Sequence, residues 1–166
     1  MTMTNSSPGF AYRRDARGFT MVELMTVVSM LAIVSAIAVP GLRSFSDTQR
    51  VKTLSHDLTT DLLVARSEAL KRNANVTVTR QGDAWSAGWT VTAGAVELAS
   101  RPAMSGSVAF DGAPTAIVFN VNGRVTTPAD GVRMTVRAAD GGSANATRCV
   151  ELDLSGRART TLGACT

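Results

Sequence analysis

Arg157 and Arg159 stand two positions apart behind Gly156, near the end of a 166-residue sequence. If that segment is a strand, both side chains share one face, about 7 Å apart. Two guanidiniums so placed can each hold a backbone phosphate without reading a base. Gly156 would leave room for close approach of the backbone. Arg124, Arg133, Arg137 and Arg148 are candidates to extend the patch. No aromatic residue interleaves with this tail, so base stacking has no platform there. A plainer reading stays open, in which both arginines are solvated strand charges or partners of Glu151 and Asp153.

Other chemistry is sparse. The sequence has no nucleophile elbow, phosphate-binding loop, dinucleotide fingerprint or metal-ligand spacing. Gly141-Gly142 and Asp111-Gly112 read as turns. His56 is the lone histidine and has no acid or nucleophile arranged about it, which suits a surface residue. No catalytic residue, cofactor or metal site is expected, so the chain does not read as an enzyme. The formal net charge of +4 is mildly basic and implies no partner by itself.

The remaining residue of note is an acid. From Leu24 to Leu42 nothing is charged, and roughly 20 such residues cross a hydrocarbon core of about 30 Å as a helix. Glu23 lies at the head of this run and Arg13, Arg14 and Arg17 precede it. A carboxylate inside an apolar span is costly and suggests a function. An ordinary secretory signal, with Ala36-Ile37-Ala38 as its cut site, gains nothing from Glu23. A plain transmembrane anchor is the other alternative. The arginines favour a cytoplasmic N-terminus, weakly, because Arg43, Arg50 and Lys52 follow the span.

Gly18-Phe19-Thr20-x-x-Glu23-Leu24, with Pro40 later in the apolar helix, resembles the class III signal of type IV pilins and type II secretion pseudopilins. The resemblance implies that a prepilin peptidase cuts after Gly18 and that the new N-terminus, Phe19, is methylated. It implies that Glu23 meets the N-terminal amine of a neighbouring subunit. It also implies an inner-membrane anchor with the head in the periplasm, and other pilins or pseudopilins of one filament as partners. Phe119-Asn120-Val121-Asn122-Gly123-Arg124-Val125 and Gly156-Arg157-Ala158-Arg159, followed by a terminal cysteine, resemble the FimT/GspH group of minor pilins and minor pseudopilins. The Gly-Arg-x-Arg ending is similar to the FimT side, whose motif is linked to DNA binding in natural transformation. The expected function is therefore a minor type IV pilin that binds DNA for uptake. The alternative is a purely structural minor pseudopilin.

These residues need elements to hold them. Val51, Leu54, Leu58, Leu62, Ala65 and Ala69 are spaced three or four apart and predict one apolar stripe on a helix. Arg50, Lys52, Asp57, Asp61, Arg66 and Glu68 are expected elsewhere around it. The proline of Pro40-Gly41 should break or kink the helix before the pattern resumes, and the helix should end near Arg72-Asn73. From Asn75 the period becomes two. Candidate strands are Val76-Thr77-Val78-Thr79, Trp85 to Val91, Ala95 to Leu98, Ala116 to Phe119, Val132 to Arg137, and a run with Val150, Leu152 and Leu154 inward. Asn122-Gly123 is a tight-turn signal. A translocated chain carries Cys149 and Cys165 into an oxidising compartment, where pairing is expected. A loop of about 16 residues then contributes about 3 kcal/mol in the chain-entropy picture; two unpaired thiols are the alternative. The expected class is α+β and pilin-like. The segments are a cleaved leader (1–18), a transmembrane and assembly helix (19–42), an amphipathic helix (43–73) and an antiparallel β-rich head (74–166).

Overall fold

The structure, a computed structural model, describes residues 18–104, 108–139 and 146–166. Met1 to Arg17 of the expected leader and the expected turn at Gly141-Gly142 lie outside the described residues. The chain divides into two compact units, Met1–Val39 and Pro40–Thr166.

Helix α1 runs from Met21 to Arg72. Thr20 caps its start, where its Oγ1 accepts the Glu23 N–H at 3.2 Å. At the other end Asn73 takes a left-handed φ of 48° and the Ala74 N–H reaches the Ala69 carbonyl at 3.3 Å, which ties off the last turn. The helix is continuous through Pro40, not broken there. A proline removes one backbone hydrogen bond, and the turns on either side remain bonded. The apolar part has a mean hydropathy of 2.3, is long enough to cross a membrane, and buries none of its side chains. In the second unit all six stripe residues are buried.

Among the described residues, nine strands follow in two antiparallel sheets. The first sheet has β1 (Val76–Arg80), β2 (Trp89–Ala93), β3 (Val96–Arg101), β5 (Ala116–Phe119) and β6 (Val125–Thr127), in the order β3-β2-β1-β5-β6. The second has β4 (Val108–Asp111), β7 (Val132–Ala138), β8 (Thr147–Leu152) and β9 (Ala158–Leu162), in the order β4-β7-β8-β9. Alternate residues face inward, as a period of two demands. Val76, Val78, Val91, Ile117 and Phe119 from one sheet, and Val132, Met134, Val136, Val150 and Leu152 from the other, join the helix stripe in a single core. The fold is α+β, one long helix packed on antiparallel sheets.

Three details differ from the sequence pattern. Trp85 to Ala87 is a 3-10 turn, and the strand begins only at Trp89. Both indoles are buried, 6.0 Å apart, and the Trp85 Nε1–H donates to the Pro114 carbonyl. Leu154 does not extend β8; it is exposed in a turn closed by Gly156 N–H to the Asp153 carbonyl at 2.9 Å. Asp61 is not on the solvent side of α1. It is buried, and its carboxylate accepts the Trp89 Nε1–H and the Arg101 Nε–H, each at 2.9 Å.

Candidate functional site

The segment expected to carry the processing border is open. Gly18, Phe19 and Glu23 are all exposed, and Phe19 keeps 80 % of its surface. Thr20 and Glu23 have the spacing of a capping box, of which the Thr20 half is formed. The Glu23 carboxylate itself makes no hydrogen bond or ion pair within the described chain.

The arginine tail is built differently from a strand carrying two arginines on one face. Arg157 precedes β9, which starts at Ala158. The turn Asp153 to Arg157 sets this. Gly156 has a φ of +78°, and the Asp153 Oδ1 accepts the Arg157 N–H at 3.0 Å. The Ser155 hydroxyl, donating to the same carboxylate, and that N–H hold Asp153 below its ordinary value, with a smaller contribution from the Arg157 charge. Arg159 is inside β9 and forms an ion pair with Glu151 on the neighbouring β8, its register partner. Arg157 is exposed, and its side chain has no hydrogen bond or ion pair. One tail arginine is thus ion-paired and the other is not.

Gly156 does allow a close backbone approach, made by another part of the chain. It is buried, and a Cβ there would lie 2.2 Å from the Gly123 carbonyl oxygen. The close approach it permits is between two turns of the protein, Asn120–Arg124 and Asp153–Arg157. The Val125 N–H, donating to the Leu154 carbonyl at 3.1 Å, fastens them. The Asn120 side chain shapes the first turn by accepting the N–H groups of Asn122 and Arg124, each at 3.0 Å.

The other candidate arginines divide. Arg133, Arg157 and Arg159 line one groove of about 690 Å³ together with Asp130, Glu151 and Asp153. Arg133 also lies 3.8 Å from Glu151 and donates to the Thr166 carbonyl at 2.8 Å. Arg137 is paired with Asp111 through a hydrogen bond that lowers the carboxyl's pKa. Arg148 donates to the Thr147 carbonyl. Arg124 is exposed, and its side chain has no partner. Cys149 and Cys165 form a disulfide with Cα atoms 4.9 Å apart. The Cys165 N–H adds a bond to the Thr135 hydroxyl, so the tail is held against β7 and β8.

The family model described as Type II transport protein GspH matches residues 54–156, from the helix stripe to the buried glycine. The chain belongs to the GspH family. A second model, the prokaryotic N-terminal methylation motif, matches residues 13–39 of this GspH-family chain. Two solved structures, both of the Pseudomonas aeruginosa type IV minor pilin FimU, share the fold. One aligns with a TM-score of 0.59 and 18% identity over 70% of this chain and 92% of that one. The other aligns with a TM-score of 0.56 and 19% identity over 66% and 91%. No curated protein matches the sequence. The chain is thus a pilin or pseudopilin of the GspH/FimT kind, with an N-terminal methylation motif and a membrane-anchoring helix. Arg157, Arg159 and Cys165 fall beyond the residues matched by the GspH model.

Among the described residues, no group of three His, Cys, Asp or Glu side chains could hold a metal ion. Sequence reasoning missed Arg66 on α1. Its side chain passes beneath both glycine turns, and a Cβ on Gly156 would lie 3.1 Å from its Cδ and Nε. The helical period placed Arg66 away from the stripe, and no local signal relates it to turns 57 and 90 residues later.

Proposed function

We propose that this GspH-family chain is a minor pilin of a type IV pilus that binds DNA non-specifically for uptake in natural transformation. The observation that carries this reading is Arg157: it is exposed and without a side-chain partner, beside a groove shared with Arg133 and Arg159. A guanidinium whose donors make no hydrogen bond or ion pair suits a phosphate oxygen. In this reading prepilin peptidase cuts after Gly18 and the Phe19 amine is methylated. Glu23 then pairs with that amine on a neighbouring subunit. The helix anchors the chain in the inner membrane, with the head in the periplasm until assembly.

The test is DNA binding by the head from Arg43 to Thr166, beside an Arg157→Ala/Arg159→Ala double variant, at low and moderate salt. The expected dissociation constant is in the non-specific range, about 10⁻⁴ to 10⁻⁶ M, weakening as salt rises. The double variant should lose this binding. Equal binding by both proteins would assign it to general basic charge. No binding by either, with the disulfide intact, would favour the second reading, a purely structural minor pseudopilin of type II secretion. That reading is supported by the description of the matched family and by Glu151, which forms an ion pair with Arg159.

A further inference from the structure

We infer that the anion site of the head is assembled by Arg66, Arg124 and Arg157, where two glycine turns close over the helix, and that it takes the phosphodiester backbone of a nucleic acid. This rests on the DNA-binding reading above and replaces the Arg157/Arg159 pair with a different set of residues.

The set follows from which arginines lack internal partners. Among the described residues from Val51 onward, the arginines with no side-chain hydrogen bond or ion pair are Arg66, Arg80, Arg124 and Arg157. Arg72, Arg101, Arg137 and Arg159 are paired with carboxylates. Three of the four unpaired arginines start from backbone at one place in the fold, where the Gly123 and Gly156 turns meet over the Arg66 stem. A Cβ on Gly156 would strike the Gly123 carbonyl, so the two backbones touch. Arg124 and Arg157 each follow one of these glycines, one Cα step of about 3.8 Å further on. Arg66 comes from beneath: a Cβ on Gly123 would lie 3.1 Å from its Cγ, and one on Gly156 the same distance from its Cδ and Nε. Its stem therefore runs past Gly123 and carries the guanidinium to Gly156. Arg80 lies at the other end of β1, since Val76 is opposite Phe119 and Arg80 is four residues, about 13 Å, further along.

Arg66 is placed for this task. It is half-buried, and its Nε–H is buried without an acceptor. Packing against two glycines fixes the stem, so little side-chain freedom remains to be lost on binding. A guanidinium is a fork of donors that matches phosphate oxygens. Arg66 forms no ion pair with a carboxylate of the described chain. Gly123 and Gly156 thus act through the arginine they let through. A side chain at either position would displace Arg66 or part the turns.

The experiment uses the full-length chain in detergent and a random-sequence duplex of about 30 base pairs, with affinity followed against salt. Single variants Arg66→Gln, Arg124→Gln, Arg157→Gln and Arg80→Gln are compared, each removing one charge. Arg66→Gln and Arg124→Gln should each weaken binding about tenfold and reduce the slope of log affinity against log salt by about one. Arg80→Gln should stay within about twofold of wild type. Arg124 is exposed, so its variant decides the matter if Arg66→Gln fails to fold. Equal small losses in all four variants would overturn the proposal in favour of net charge. Loss confined to Arg157→Gln would overturn it while leaving the DNA reading intact. A wild-type chain that binds no DNA would end both.

Discussion

At Gly156 the pattern Gly-Arg-x-Arg suggests room for close approach of a backbone, and the backbone that takes this room is the carbonyl of Gly123. The consequence can be measured. Gly156→Ala places a Cβ 2.2 Å from that oxygen, on backbone with a φ of +78°, so it should cost about 3 kcal/mol or more in urea unfolding, from clash and left-handed strain together. Gly163→Ala has a φ of +96° with nothing within 4 Å and should cost only the strain, about 1–2 kcal/mol. Similar costs for both would refute a packing role for Gly156. A Gly156 variant that loses DNA binding would therefore say little about phosphate contact unless its fold were checked. Asp61 teaches the same lesson. Its charge marks it as a surface residue in the helical pattern, yet its partners Trp89 and Arg101 bury it from 28 and 40 residues away.

Among the elements, the helix was the most legible. All six stripe residues are buried because a 3.6-residue period is written locally and needs no knowledge of the partner surface. The inward faces of β1 and β7 were legible from a local period of two, and β5 was legible only as an apolar run. β4 and β6 were not, since four and three residues give too little alternation to read. The tail was misplaced by one residue because Asp153-Leu154-Ser155-Gly156 is a turn held by its own side chains, and an alternation count runs straight through it. Strand β9 is an edge strand, paired only with β8 among the described strands. The disulfide compensates beyond its end. Cys149→Ser/Cys165→Ser should cost about 2–4 kcal/mol. It should also raise hydrogen exchange at Cys165, whose N–H bond to Thr135 loses its tether. Unchanged exchange there would show that the tail is held without the bridge.

Across the whole molecule, burial and anchoring are assigned to different stretches of one sequence. Every buried residue among those described lies at or beyond Val51, whereas the apolar run before it is exposed throughout. Stability of the head and insertion into a filament should therefore be separable by mutation. Glu23→Gln changes a residue with no side-chain partner within the described chain, so the unfolding free energy of the head should move by less than about 0.5 kcal/mol. If Glu23 meets a neighbour's N-terminal amine, the variant leaves that amine without its counter-charge. An unpaired charge in hydrocarbon costs about 2.5–3.5 kcal/mol, so incorporation should fall by at least about tenfold. The measurement is the ratio of this subunit in sheared filaments to that left in membranes, at matched expression. A neutral Glu23 variant that assembles as well as wild type would remove the amine pairing and leave the acid only as a favourable charge in the first turn of the helix. A variant that folds, anchors and fails to assemble would place the charge where the resemblance to pilins puts it, between subunits.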